Sequence, residues 1–480
     1  LPSGMGFATA FFAVSMLGKT VVPLNYALSP RELLDIVKDA GITTLISFEA
    51  DAADRAGQAI FGQTIAFLND EVLSLNVVLI NHHHVQGRIR VEQPFVDLPN
   101  IQPDDTAVLL YTSGSTGKPK GVIQTHKNLV SNADAANSAL GAANEIIFSP
   151  LPTFHSFALV AGMLYPLLHG HTAFLEPKFM PRSILERLGK HGVTVHLGVP
   201  SMYKAYLAVS RMRPSEAFAT VKVAVSGGAP LPLEIANAFE RVFGKPLVEG
   251  FGCTETSPIV ALNPTNAPPH LGTVGQCVEG VTIEIRAMDG TVLPAGEAGE
   301  MWVHGPNVTL GYYNKPEETA KVFQNGWYNT QDMATVDDAG FIRILGRTKH
   351  MIIVGGENVY PAEVEHAVLK VPQVRDVAVT GQPDESRGEV VLAFVVPEEN
   401  WEGDGEAMEG LIRDYINSHQ LLADYKIPRK VKILEAIPLL PTGKPDLPAL
   451  RGERTAIMNV AVQQAQAAAM QAEMQAASSS

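Results

Sequence analysis

Residues 111–122 read YTSGSTGKPKGV. They hold three glycines, two serines, two threonines and two lysines. Gly114, Gly117 and Gly121 permit positive φ and a close backbone approach. Successive amides can then curl around an anion. Thr112, Ser113, Ser115 and Thr116 add hydroxyl donors, and Lys118 and Lys120 add charge. Phosphate is the guest that suits this chemistry. The string is not a Walker A loop, because Pro119 stands where Ser or Thr is required and the upstream glycine spacing differs. A solvated turn is the bland alternative, but turns rarely stack so many donors and cations behind an apolar strand.

The elements around this loop follow a pattern. Short β-rich runs precede turn-forming segments: 107–111 before TSGSTG, 193–199 before PSMY, 221–225 before SGGAP and 247–249 before GFG. Helix-like stretches such as 232–243 separate them. Strand, turn and helix repeated in this way predict layered α/β structure with parallel sheets. Ligands in such folds sit at the carboxyl ends of strands. Residues 5–17 read as a buried helix, and SPRE at 29–32 supplies an N-cap, a first-turn proline and an early acid for another. The texture changes near Gly272. Alternation at 282–286, a turn at 288–290 and extension at 300–304 predict a small antiparallel β subdomain reaching 345. Residues 346–349 read as a joint. A helix from Pro361, strands at 374–380 and 389–396, a helix at 408–418 and a strand at 431–434 make a compact α+β domain. The Ala/Gln-rich tail from 461 reads as a frayed helix or disordered chain.

Composition bounds the function. The chain has 480 residues, enough for two to four folding units. Hydrophobic residues make up 46% and charged residues 18%, which is ordinary globular usage. The net charge of −14 argues against nonspecific nucleic-acid binding and against a polybasic membrane anchor. Cys253 and Cys277 fit no metal spacing, and a reducing, cytoplasmic compartment is expected. Residues 5–17 are too short to span a bilayer, so no transmembrane segment is expected and peripheral membrane contact stays open. The sequence begins with Leu1, which leaves room for a removed targeting segment. The histidines at 82–84 read as a surface loop, and Cys253 as a small packed residue.

The loop string resembles the phosphate loop of the adenylate-forming (AMP-binding) enzymes: acyl-CoA synthetases, firefly-type luciferases and nonribosomal-peptide adenylation domains. Further motifs follow in that family's order as far as about Arg451. In VEGFGCTETS (248–257) the resemblance implies that Phe251 stacks near adenine, Thr254 lies by the phosphates and Glu255 ligates Mg2+, with Thr112 a second metal contact. Hard carboxylate and hydroxyl oxygens suit a cation that bridges phosphates; read alone, Glu255 is equally a helix-cap acid. Gly228, Ala229 and Pro230 of SGGAPL, with Glu249 and Gly250, would line the base. LPTFHSF (151–157) puts His155 at the acyl-AMP site, and HLGVPSMY (196–203) resembles the acyl-pocket wall, with His196, Val199 and Ser201. Asp332 of WYNTQDM would take the ribose hydroxyls and Arg347 the ribose or phosphate. Lys349 occupies the family's hinge position, while Gly355, Gly356 and Glu357 would border the CoA tunnel. Lys444 would bridge carboxylate and α-phosphate. Three positions depart from the family pattern: Gln331 replaces Gly, His350 replaces Asp, and Pro445 replaces an aliphatic residue.

The resemblance thus implies an adenylation domain over 1–346, a mobile C-terminal domain over 347–455 and a tail over 456–480. It implies ATP, Mg2+ and CoA as cosubstrates and cofactor. A carboxylate would attack the α-phosphorus, pyrophosphate would leave, and a thiol would then take the acyl group. General likeness is greatest to bacterial fatty-acid CoA ligases, so a medium- or long-chain fatty acid is expected. An acyl carrier protein as acceptor, an adenylate released as product and luciferase-type oxidation stay open. Two readings of other classes are a phosphotransferase that forms ADP and a non-catalytic nucleotide-binding relative.

Overall fold

The computed structural model describes residues 1–26, 28–48, 55–72, 75–80, 98–112, 119–141, 144–210, 214–355, 357–384, 386–439 and 445–452. The chain forms two compact units. The larger takes Leu1–Thr330 and Ala334–Ile344; the smaller takes Gln331–Met333 and the chain from Leu345 on.

A seven-stranded sheet organises the larger unit. Its order is Gln276–Cys277, Ile259–Leu262, Leu247–Gly252, Val223–Ser226, Val195–Gly198, Ile146–Ser149, Thr172–Leu175. The last five run parallel, and the first two are antiparallel additions at one edge. The parallel strands are Val-rich and largely buried, as expected for a sheet covered on both faces. Phe148, Tyr203, Tyr206, Phe218 and Phe239 fill one core cluster; Val108, Leu159, Met163 and Tyr165 belong to another. Helix Leu233–Phe243 buries Ala236, Phe239 and Phe243, a one-face spacing, and stops at Gly244 with φ 67°. Register places Gly198 opposite Ser226, and Ser226 opposite Glu249. Three strand ends therefore open side by side, and the loops that follow them share one rim.

Two expectations need correction. The phosphate string does not join a strand of this sheet to a helix. It lies between Thr106–Thr112 and Lys120–Thr125, which pair antiparallel with Thr112 opposite Lys120. The run after the glycines is itself strand-forming, and the helix His126–Leu140 begins only at a Thr125 cap. Helix Met5–Met16 is not buried all round: Phe7 and Phe11 face the core, while Met5 and Met16 are exposed. The Ser29 capping box forms as its residues dictate.

A five-stranded sheet follows, with Thr282–Arg286, Gly299–His304, Trp327–Val336 and Phe323–Gln324 in order and Ile342–Arg347 beside Trp327–Val336; Thr282–Arg286 and Phe323–Gln324 run antiparallel to their neighbours. The smaller unit has its own sheet, Glu357–Val359, Ile352–Val354, Gly388–Pro397, Val374–Asp384, with Lys430–Ile433 parallel to Gly388–Pro397. Helices Pro361–Val368 and Gly405–Ser418 cover it through Val364, Val368, Met408, Ile412 and Ile416. Among the described residues no helix is long and apolar enough to cross a membrane.

Candidate active site

The rim of the parallel strands gathers four of the sequence motifs. Ser156 Oγ lies 3.5 Å from Thr254 Oγ1, which sets the His155 segment beside the Thr254 turn. His155 itself is half-buried, its ring 4.7 Å from that of Phe154. Phe157 packs on Gly227, where an added Cβ would sit 3.2 Å from its ring. Val199 would lie 3.5 Å from a Cβ added at Gly228, which has φ 77°. Gly228 and Pro230 are exposed and Ala229 half-buried, so this loop offers its backbone outward. Ser201 is exposed at the start of helix Pro200–Val209. Glu249 is buried and accepts the Leu231 N–H at 2.9 Å, tying the two strand ends together. Burial pushes its carboxyl up to about 7 against the opposing pull of that amide. Gly250 and Phe251 continue the strand, both half-buried.

His196 is the correction in this group. Its ring is wholly buried, between Tyr203 and Tyr206 hydroxyls, each 3.1 Å from one nitrogen. Tyr203 donates its own proton to the Val225 carbonyl at 2.6 Å. Its oxygen must then accept from His196 Nδ1–H, which leaves Nε2 to accept from Tyr206. Burial drives the imidazole down to about 3, so it is neutral. His196 braces the strand ends from inside the core and lines no acyl pocket.

The turn after Leu247–Gly252 is the short helix Thr254–Thr256. Three donors from other segments hold its carbonyls. Gln124 Nε2 donates to Thr254 O at 2.9 Å, the Thr309 amide to Glu255 O at 3.0 Å, and Asn307 Nδ2 to Thr256 O at 2.9 Å. The Glu255 side chain accepts from the Tyr312 hydroxyl at 2.8 Å. Burial and the adjacent carboxylate push that phenol far above its ordinary range, so it remains the donor. Cys253 is half-buried and bonds with Thr256 Oγ1 at 3.2 Å. Gln124, Asn307, Thr309 and Tyr312 were not singled out from the sequence. The Gly-aromatic run GYYN after GPNVTL was the available signal.

Thr112 is half-buried at the end of its strand. Lys120 was expected among the phosphate-loop cations, but its ammonium is paired with Glu318 at 2.7 Å. Ser113, Gly114, Ser115, Thr116, Gly117 and Lys118 lie outside the described residues, as do Gly356, Lys444 and the histidines at 82–84.

In the smaller unit Arg347 Nε meets Asp332 Oδ1 at 2.7 Å, and Asp332 is buried. The two residues expected at the ribose are therefore partners. Gln331, next to Asp332, has φ 58°. That is a left-handed backbone, which accounts for the glycine usual there. Lys349 lies in the short helix Thr348–His350. Gly355, with φ 61°, and the exposed Glu357 border the turn of a hairpin in which Val354 pairs with Glu357.

Comparison with known proteins decides the family. Residues 1–313 match the AMP-binding enzyme model, and residues 363–444 match the AMP-binding enzyme C-terminal domain. The chain belongs to the AMP-binding enzyme family. A feruloyl-CoA synthase of Amycolatopsis sp is 34% identical over 454 residues, covering 92% of this chain and 85% of the relative. A long-chain-fatty-acid–CoA ligase of Yersinia pestis is 32% identical over 477 residues, covering 92% and 82%. The o-succinylbenzoate coenzyme A synthetase of Bacillus subtilis, in complex with ATP and magnesium ion, superposes with a TM-score of 0.74 at 30% identity, covering 91% of this chain and 85% of that one.

As a member of this family the chain is an AMP-forming acid–CoA ligase that works through an acyl-adenylate and uses ATP, Mg2+ and CoA. The residues present suit the metal. Magnesium takes hard oxygens from one or two carboxylates and leaves its other positions to phosphate and water. Glu255, with Thr112, supplies such oxygens and would hold it. Among the described residues no cluster of three His, Cys, Asp or Glu offers a rival cage. The ion would neutralise phosphate charge as two anions meet.

Proposed function

We propose that this AMP-binding enzyme activates an apolar carboxylic acid, a medium- or long-chain fatty acid first among them, and passes the acyl group to CoA. One observation carries the choice of acid. Glu249, the carboxyl at the rim of the strand ends, is spent on the Leu231 amide, and burial raises the cost of its charged form. A buried carboxyl already committed to a backbone amide is a poor partner for an α-amine, which argues against an amino-acid substrate. Phe157, Val199 and the half-buried Met202 give the same rim an apolar lining.

In this reading the amides and hydroxyls of 112–117, with Lys118, hold the triphosphate. Phe251 and the 228–230 loop take the adenine, and Asp332 with Arg347 the ribose. Glu255 holds the metal, His155 faces the acyl-adenylate, and Lys444 bridges the reacting anions. Positioning and charge neutralisation supply the rate; no protein nucleophile is needed. The domains divide at 346, and rotation about Lys349 would exchange Lys444 for the Gly355–Glu357 turn before the thiol step. A cytoplasmic setting fits a chain with only two cysteines.

The feruloyl-CoA synthase relatives favour a second reading, an aromatic propenoic acid in the same apolar site. An acyl carrier protein is the alternative acceptor. Mass spectrometry of products from Mg·ATP, CoA and a panel of C2–C18 and aromatic acids separates them. AMP with a fatty acyl-CoA series supports the first reading; a hydroxycinnamoyl-CoA alone replaces it with the second. Acyl-AMP without acyl-CoA points to another acceptor, and ADP overturns both.

A further inference from the structure

Tyr312 stands outside every motif used above, yet its hydroxyl reaches the Glu255 carboxylate at 2.8 Å. Resting on the reading of Glu255 as the metal carboxylate, we propose that Tyr312 is a positioning residue for the metal. It occupies Oε1 of Glu255, leaves Oε2 for the cation, and couples the metal turn to the base of the phosphate hairpin.

The segment that carries Tyr312 grips the turn at several points. Asn307 and the Thr309 amide fix the carbonyls of Thr256 and Glu255, and Tyr312 fixes the Glu255 side chain. Main chain and carboxylate are thus oriented by one stretch of six residues, Asn307 to Tyr312. A carboxylate on a rotatable side chain would otherwise sample several rotamers. One charge-assisted bond from a phenol selects among them.

The same segment is docked on the hairpin. The Ile123 amide donates to Gly311 O at 2.9 Å and the Tyr313 amide to Gly121 O at 2.7 Å. Val122 and Tyr312 form the bridge between these bonds. Gly311 has φ 122°, and an added Cβ would run into the Thr319 side chain, so this close approach requires glycine. Asn128 Nδ2 holds the segment from its other side through Pro306 O at 2.7 Å and Val308 O at 3.0 Å.

Lys120 completes the link. It closes the phosphate loop opposite Thr112, and its ammonium sits 5.1 Å over the Tyr312 ring. Glu318, itself paired with Lys321, holds that ammonium in place. One aromatic ring thus carries the phosphate-loop cation on its face and the metal carboxylate on its hydroxyl. The ring alone would suffice for packing against Phe323. The hydroxyl, which also meets Tyr328, is the atom that ring packing does not need.

Tyr312→Phe keeps the ring and the cation contact and removes only the hydroxyl. The test is calorimetric titration of ATP, without acid or CoA, at a series of Mg2+ concentrations, for the wild type, Tyr312→Phe and Glu255→Gln. The expected result is that Tyr312→Phe raises the Mg2+ needed for half-maximal ATP binding by about tenfold, the scale of one lost charge-assisted hydrogen bond. Glu255→Gln shifts it at least as far, and the double variant goes no further than Glu255→Gln alone. If Glu255→Gln shifts the Mg2+ dependence and Tyr312→Phe does not, the positioning role is wrong. If neither shifts it, the assignment of the metal to Glu255 fails and takes this inference with it.

Discussion

The Glu249 carboxyl and the Leu231 amide are joined at 2.9 Å across two strand ends, with the carboxyl buried and raised to about 7. In the unfolded chain the same group ionises near its ordinary value of 4.5. Between the two values the folded state binds a proton that the unfolded state has lost. Stability from this group is therefore full below about 4.5 and falls as pH rises through about 7. At roughly 1.4 kcal/mol per unit, the loss is on the order of 3 kcal/mol. Glu249→Gln keeps an acceptor for Leu231 and removes the titration. Thermal unfolding of the two proteins from about pH 4.5 to pH 8 is expected to show the variant losing less stability as pH rises. Parallel curves would mean that Glu249 does not titrate in this range.

His196 and Lys120 show how far the sequence could be read. Helices, strands and their order were legible because glycine turns, caps and Val-rich runs are local signals, as at Ser29 and Gly244. His196 was misplaced because a motif gives the order of residues and not their side of a strand: Gly198 and Val199 reach the rim, while His196 points into aromatic core. Lys120 reads as a free cation in any window that omits Glu318, nearly two hundred residues away. Tyr312 sits in a visible Gly-aromatic run, but its role was hidden for the same reason. Its partner Glu255 is distant in sequence, and only the fold joins them.

The core brace makes its own prediction. Tyr203 accepts from His196 and donates to Val225 O at 2.6 Å, one residue before the 226–231 loop. Tyr203→Phe strands a buried imidazole N–H and removes the side-chain bond to the Val225 carbonyl. An orphaned group costs about 1–3 kcal/mol. The variant is expected to lose about 1–3 kcal/mol in urea unfolding and to raise KM for ATP more than it lowers kcat, because the 226–231 loop proposed to take the adenine loosens. Tyr206→Phe orphans only the His196 Nε2 acceptor and is expected to cost less. Equal losses in the two variants would contradict the hydrogen-bond directions assigned to the ring.

The two half-reactions separate the proposed roles of Lys444 and Lys349. Lys444 is expected to act where carboxylate meets α-phosphate. Lys444→Ala should slow adenylation by about a hundredfold or more, the scale of a lost preorganised charge. Thioester formation from supplied acyl-AMP should stay near the wild-type rate. Lys349→Pro removes backbone freedom at the proposed joint, so it should slow the thiol step more than adenylation. Stopped-flow assays of each half-reaction decide this. Loss of both steps together in Lys444→Ala would place that lysine in the fold rather than in the first step.

Gln331 holds φ 58° in the strand Trp327–Val336, immediately before the Asp332 that pairs with Arg347. A left-handed backbone costs an L-residue roughly 1–2 kcal/mol. Glycine escapes that strain but gives back about 0.5–1 kcal/mol through the flexibility of the unfolded chain. Gln331→Gly is therefore expected to be net stabilising by a few tenths to about 1 kcal/mol, a rise in Tm of up to about 4 °C. With the strain gone, the Asp332 carboxylate should keep its place against Arg347, and KM for ATP should stay level or fall. Differential scanning calorimetry with ATP-dependence kinetics tests both halves. A lower Tm would show that contacts of the Gln331 side chain outweigh the backbone strain, and a higher KM would show that Asp332 needs the turn that Gln331 imposes.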